Sequence, residues 1–134
     1  MSIYGIGCDL VFIPRIDLKK ESLWQKILSP KEWAEIQKIS LERRKQEKIA
    51  GRFAAKEAIL KAFKTGFAQG MEWHNLEIVS TESGSLEVKL SGFAADFCAQ
   101  KGISQIHINV SHDGDYAMAY AVAECELSHV YCYN

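Results

Sequence analysis

Asp9, Glu57, Lys61 and the pair Ser111-His112 are the polar residues placed where a fold can present reactive groups. Glu57 and Lys61 lie in the stretch GRFAAKEAILKAF, Gly51 to Phe63. Their i,i+4 spacing stacks a carboxylate and an ammonium on one helical face. Ala50, Phe53 and Ala54 flank that face on its N-terminal side. Such a pair is either a solvated ion pair worth roughly 0.2–0.5 kcal/mol or half of a site for a metal and a phosphate. Asp9, after an apolar run, supplies a second carboxylate. Two carboxylates suit Mg²⁺, which keeps several waters and commonly completes its shell with substrate phosphates. Lys61 can then neutralise charge on a phosphoryl oxygen. Ser111 and His112 sit beside Asp113-Gly114, a hairpin signal. Each residue also has a plain alternative: a strand-end cap for Asp9, a surface histidine for His112, a turn-closing hydroxyl for Ser111.

The surrounding pattern says which elements carry these groups. Residues 2–8 read as a strand interrupted by Gly5 and Gly7, with Asp9 at its end. Cys8 reads as a small buried hydrophobe. A short helix is expected over Ile16 to Leu23. Ser29-Pro30-Lys31-Glu32 is a helix start: N-cap, proline at the first position, and a capping-box glutamate. A long helix follows from about Glu42 to Phe63, with Gly66 as its stop. Lys56, about 100° round that helix from Glu57, is expected to face solvent or a neighbouring subunit. Strands are expected at Leu76–Ser80 and Leu86–Leu90, a helix over 92–101 between Ser91 and Gly102, and a hairpin of Ile106–Val110 with Tyr116–Ala123. The turn of that hairpin takes in Ser111 to Asp115. The result is one α+β domain, residues 1–124, in which a largely antiparallel sheet packs on one long helix and shorter ones. Residues 125–134 read as a C-terminal tail, frayed from Glu124 onward.

The 134 residues suit a single domain with an ordinary core. Their 48% hydrophobic and 25% charged content argues against disorder. No apolar run approaches bilayer length, and the N-terminus, with Asp9 inside it, does not read as a secretory leader. The four cysteines form no C-x-x-C pair and read as reduced thiols of a cytoplasmic protein. His74, His107 and His129 show no ligand spacing, and there is no P-loop or G-x-G-x-x-G. The net charge of −1 conceals an asymmetry. Residues 14–64 hold 14 of the 16 Lys and Arg but only 7 of the 17 acidic residues. A basic third of this kind suits an anionic partner: nucleic acid, a nucleotide or an acidic protein. The interleaved aromatics of single-strand binders are missing from it, and no nucleic-acid motif is present.

Three segments together resemble a known family. Gly5-Ile6-Gly7-Cys8-Asp9 with Arg15, Gly51 to Ala58 through Lys61-Ala62, and Val110-Ser111-His112 with Tyr116-Ala117 are similar to the three signatures of the 4′-phosphopantetheinyl transferases. Their order and the chain length resemble the short, single-domain branch, over residues 3 to 123 or so. The long-helix segment is the most specific of the three.

The resemblance implies the 4′-phosphopantetheinyl transferase fold. It implies transfer of 4′-phosphopantetheine from coenzyme A to a serine of an apo acyl carrier protein, in support of fatty acid biosynthesis. It implies Mg²⁺ on Asp9 and Glu57, catalytic roles for Glu57 and Lys61, and coenzyme A contacts from Lys61, Arg52, Ser111 and His112. The match to His112 comes from a neighbouring subunit in that branch, which is a homotrimer with sites between subunits. The basic region near Arg15 and Arg44 is the expected landing surface for the acidic carrier; no nucleic acid or membrane partner is expected. Either Glu57 or a metal-bound water takes the serine proton. The family often has a Gly-x-Pro turn near the adenine end of the site, and this chain has Ser83-Gly84-Ser85-Leu86 there.

Overall fold

The structure, a computed structural model, describes residues 1–67 and 70–126. The chain opens with a long strand, β1 (Ser2–Phe12), and a 3-10 turn at Ile13–Arg15. Three helices follow: α1 (Glu21–Ile27), α2 (Pro30–Gln37) and α3 (Glu42–Phe63). A second 3-10 turn at Trp73–Asn75 leads into a hairpin of β2 (Leu76–Ser80) and β3 (Leu86–Leu90). Helix α4 (Gly92–Lys101) then precedes the hairpin of β4 (Ile103–Asp113) and β5 (Tyr116–Cys125). The main sheet is antiparallel in the order β1-β5-β4, and β2-β3 forms a second, two-stranded sheet. The α+β expectation holds.

Helix α3 is the axis of the molecule because small residues let the sheet close on it. Ala50, Ala54, Ala55, Ala58 and Ala62 are all fully buried on the helix. Across from them Ala117, Ala119, Ala121 and Ala123 bury one face of β5. Gly5 and Gly7 do the same for β1. A Cβ at Gly5 would lie 2.0 Å from the Ala62 carbonyl oxygen, and one at Gly7 would lie 2.0 Å from that of Ala58. Only glycine permits this approach. The larger apolar side chains collect at the two ends of this seam. Phe63, Leu76 and Ile78 lie in one cluster, and Ile13, Leu28, Ile36 and Ile49 in the other.

Helix α3 has the bounds expected from the sequence, as do β2, β3 and α4. The capping box of α2 forms, with the Glu32 amide donating to Ser29 Oγ (3.2 Å) and the Ser29 amide to Glu32 Oε1 (2.7 Å). Other expectations need correction. Asp9 lies inside β1, because pairing with β5 carries that strand on to Phe12. Cys8 is exposed, because the inward face of β1 is taken by the glycines and Asp9. Helix α1 begins at Glu21, not Ile16. Asp17 holds the preceding turn through its Oδ1, which accepts from the Lys19 amide (3.0 Å), and its carbonyl accepts the Trp24 indole N–H (2.8 Å). Lys64, not Gly66, takes the left-handed position that ends α3. Strand β4 runs to Asp113, so Ser111 and His112 stand in a ladder and the turn is only Gly114-Asp115. Cys125 belongs to β5, and the remaining tail, with His129 and Cys132, lies outside the described residues.

Candidate functional site

Alternation along β1 puts Gly5, Gly7 and Asp9 on the face toward α3. The two glycines bring the strand backbone onto the helix, and Asp9 therefore arrives beside the turn that carries Glu57 and Lys61. Lys61 Nζ donates to Asp9 Oδ1 (3.0 Å) and to the Cys8 carbonyl (2.9 Å). Its partner in the i,i+4 pair of the sequence is thus not Glu57 but Asp9. The Asp9 hydrogen bond raises the Lys61 ammonium above its ordinary value, and the charges of Asp9, Cys8 and Glu57 add to the rise against some desolvation.

Glu57 makes no hydrogen bond or ion pair to any of the described residues. Burial raises its carboxyl, the negative charge of Asp9 raises it further, and Lys61 opposes both. Asp9 and Glu57 line one cavity of about 310 Å³. Its walls include Trp24 and Phe53, and its rim includes Arg15 and Lys20. Two like-charged carboxylates in one half-buried cavity, one with unpaired oxygens, form a donor set that a hard dication would satisfy. The set stops at two: no group of three or more His, Cys, Asp and Glu occurs among the described residues. The residues therefore fit an Mg²⁺ that draws its other ligands from water and phosphate.

A second cavity, of about 480 Å³, opens elsewhere on α3. Arg44, Lys48, Arg52 and His112 line it, with Gly84 and Ser85 of the β2–β3 turn. Arg52 is buried and donates to Ser80 Oγ (3.3 Å). Burial lowers its guanidinium below the ordinary range, against the pull of Glu32 and Glu35. Lys48 is lowered by burial and then by Arg52 beside it. Cations depressed by burial, one of them also by its cationic neighbours, are relieved by an anion. His112 reaches only the rim, with Nε2 4.0 Å from Glu47 Oε2. The β2–β3 turn survives without proline: Gly84, at φ 86, donates its amide to the Thr81 carbonyl (3.0 Å).

The structure thus joins Asp9, Glu57 and Lys61, and it sets Arg52 and His112 apart from them. Arg52 lies five residues before Glu57, about 140° round the helix. Ser111 is on the face of β4 away from α3, paired with Met118 of β5. Arg15 and Arg44, read together as one docking region, line different cavities.

One cluster escaped the sequence entirely. Lys56 is fully buried, not facing solvent or a neighbour. Its Nζ donates to Glu32 Oε1 (2.7 Å), the Ile27 carbonyl (2.8 Å) and the Trp73 carbonyl (3.2 Å). Burial lowers its ammonium, and Glu32 resists that shift. The only sequence signal was weak: Lys56 stands between alanines in a helix rich in small residues.

Known proteins resemble this chain over most of its length. The family model for the 4′-phosphopantetheinyl transferase superfamily matches residues 5–121. A holo-[acyl-carrier-protein] synthase of Geotalea daltonii is 38% identical over 126 residues, spanning 91% of this chain and 98% of the relative. The crystal structure of the Neisseria meningitidis holo-[acyl-carrier-protein] synthase superposes with a TM-score of 0.81 at 32% identity, covering 92% of this chain and 99% of that one. A Bacillus anthracis holo-(acyl-carrier-protein) synthase, in complex with CoA (3′,5′-ADP), gives a TM-score of 0.78 at 28% identity over 94% and 100% of the two chains. With the glycine-spaced Asp9, the Glu57–Lys61 turn and the basic cavity in place along that match, the chain belongs to the 4′-phosphopantetheinyl transferase superfamily, a family of transferases.

Proposed function

We propose that this chain is a holo-[acyl-carrier-protein] synthase. It moves 4′-phosphopantetheine from coenzyme A to a serine hydroxyl of an apo acyl carrier protein, in the cytoplasm, and so supplies fatty acid biosynthesis. The observation that carries the reading is the cavity that Asp9 and Glu57 line, with Lys61 hydrogen-bonded to Asp9, beside a separate cationic cavity suited to a phosphorylated nucleotide.

In this reaction the serine oxygen forms a bond to the β-phosphorus of the pyrophosphate. The bond from that phosphorus to the bridging oxygen breaks, and adenosine 3′,5′-bisphosphate leaves with the electron pair. Asp9 and Glu57 would hold Mg²⁺, which when bound supplies charge neutralisation at the pyrophosphate. Lys61, with more than half its side chain exposed, turns its remaining N–H toward a phosphoryl oxygen. The serine proton passes to Glu57 or to water in the same cavity. Arg44, Lys48 and Arg52 hold the nucleotide phosphates. Arg15 and Lys20, on the rim beside Glu57, steer the acidic carrier to the reacting centre. No helix of the described residues is long and apolar enough to cross a membrane.

We further propose a homotrimer with sites between subunits. The face of the main sheet away from α3 exposes Ile6, Leu10, Tyr116, Met118 and Tyr120, an apolar patch of the kind that copies bury. The wide angle between Arg52 and Glu57 also favours one nucleotide bridging two copies, with Ser111 and His112 offered from the second. Light scattering checks the mass, expected at three times the 15.1 kDa chain; a monomer would contradict this. Mixing Glu57→Gln with Arg52→Ala chains should restore activity that neither variant has alone.

Transfer itself is tested by intact mass. An apo acyl carrier protein incubated with the chain, coenzyme A and Mg²⁺ should gain about 340 Da, the mass of the phosphopantetheinyl group. No gain with several bacterial-type carriers overturns the reading.

A further inference from the structure

We propose that Lys56 and Glu32 are positioning residues for the acceptor side of the site, holding in place the aromatic wall of the cavity beside Asp9 and Glu57. The inference rests on the transferase reading.

Both side chains are sealed from solvent, 0% and 1% exposed. An ammonium has three N–H donors, and Lys56 spends them on Glu32 Oε1, the Ile27 carbonyl and the Trp73 carbonyl. The Glu32 carboxylate meets only donors. Oε1 accepts from Lys56 (2.7 Å) and the Ser29 amide (2.7 Å), and Oε2 accepts from the Ile78 amide (3.0 Å). One ion pair therefore pins four pieces of chain to α3: the end of α1, the start of α2, the 3-10 turn at Trp73 and strand β2.

Two of those pieces carry the wall. Trp24 lies one turn before Ile27, and its ring meets Phe53 edge-on, with centroids 6.5 Å apart. The Trp73 ring also packs on Phe53, tilted, with centroids 5.7 Å apart. Phe53 and Trp24 line the cavity that Glu57 and Asp9 share. Phe53 and Lys56 are three residues apart on α3, so the ring that is gripped and the ammonium that grips lie one turn from each other. Lys56 has no opening to that cavity and touches no reacting atom. A well-packed apolar pair would hold the same core at no desolvation cost. What the ion pair adds is direction: its bonds to the Ile27 and Trp73 carbonyls hold the backbone that carries the Trp24 and Trp73 rings.

The test uses Glu32→Asp, which keeps the charge but shortens the reach by one methylene, and Lys56→Met, which removes the donors. Steady-state kinetics with apo carrier and coenzyme A separate the roles. For folded Glu32→Asp the carrier KM should rise about tenfold, the order that a sub-ångström misplacement costs. Its KM for coenzyme A should move by less than about twofold. A lower melting temperature with the carrier KM unchanged overturns the proposal, because a purely structural pair alters the folded fraction and not the KM. An independent reading comes from the indole N–H resonances of ¹⁵N-labelled protein. Those of Trp24 and Trp73 should shift in Glu32→Asp, and unmoved resonances overturn the proposal even if Lys56→Met fails to fold. A wild-type chain that does not modify the carrier would instead remove the transferase reading, leaving the indole result to judge the positioning role.

Discussion

Helix α3 carries two lysine–carboxylate clusters that share chemistry and differ in everything else. Lys56 and Glu32 are sealed, with all three Lys56 donors and both Glu32 oxygens engaged. Lys61 and Asp9 form a pair of similar length, 3.0 Å, but Lys61 is half exposed and Glu57 beside it is unpaired among the described residues. The first cluster has no N–H left and no opening for a ligand, so its hydrogen bonds serve to fix chain segments. The second has carboxylate oxygens and an N–H left over, and burial raises Glu57 enough that a cation would be welcome there. In the proposed reading, adjacent residues of one helix, Lys56 and Glu57, thus fall to scaffold and to chemistry. Residual bonding capacity, not residue type, separates them.

The contrast is broken or sharpened first by stability. Lys56→Met leaves Glu32 buried without its cation, which should cost roughly 3–5 kcal/mol. Lys61→Met removes only a screened, exposed partner and should stay within about 0.5 kcal/mol of wild type. Denaturant midpoints measure both; equal losses would abolish the distinction. Next is the seam that brings Asp9 in. Gly7→Ala puts a methyl against the Ala58 carbonyl. It should cost about 1–3 kcal/mol as the strand backs off, and transfer should fall with it because Asp9 moves too.

A subtler effect is expected with pH. Glu57 binds its proton more tightly in the fold than in the unfolded chain, where its value is near 4.5. Its ionisation therefore removes stability as the pH rises through the folded value, and removes none well below 4.5. In metal-free buffer, Glu57→Gln should melt higher than wild type at pH 7, and the advantage should vanish at pH 4. An advantage of the same size at both would mean that Glu57 is not perturbed. The smallest effect concerns the thiols. Burial pushes Cys98 up to about 12, whereas Cys8 is exposed on the outer face of β1. Iodoacetamide at pH 8 should label Cys98 far more slowly in the native protein than in the unfolded chain; equal rates would contradict its burial.

Much of this was legible in the sequence, for local reasons. Helix α3 showed its bounds because alanines and long charged residues favour helix over most of its length. The start of α2 was spelled out by Ser29, Pro30 and Glu32. What stayed hidden depends on pairing at long range. Strand β1 goes beyond Asp9 because β5 continues opposite it; the apolar run after Asp9 is compatible with that, but the pairing decides it. His112 became a strand residue for the same reason. Lys61 pairs with Asp9, 52 residues away, in preference to the nearer Glu57. The glutamate of a capping box is already accounted for by its own N-cap amide, so nothing in Ser29-Pro30-Lys31-Glu32 announced a partner on α3. The working cluster was readable because G-x-G-x-D and E-x-x-x-K are local patterns, whereas the buried pair joins residues 24 positions apart.

The central claim is that the open cluster does the chemistry and the sealed one does not. The turnover number of folded Glu57→Gln for carrier modification, beside wild type at saturating coenzyme A and Mg²⁺, tests it most directly. The account predicts a loss of about 10²–10³-fold, the scale of removing one preorganised charge from a reacting centre. Turnover equal to wild type would take Glu57 out of the site and contradict the account.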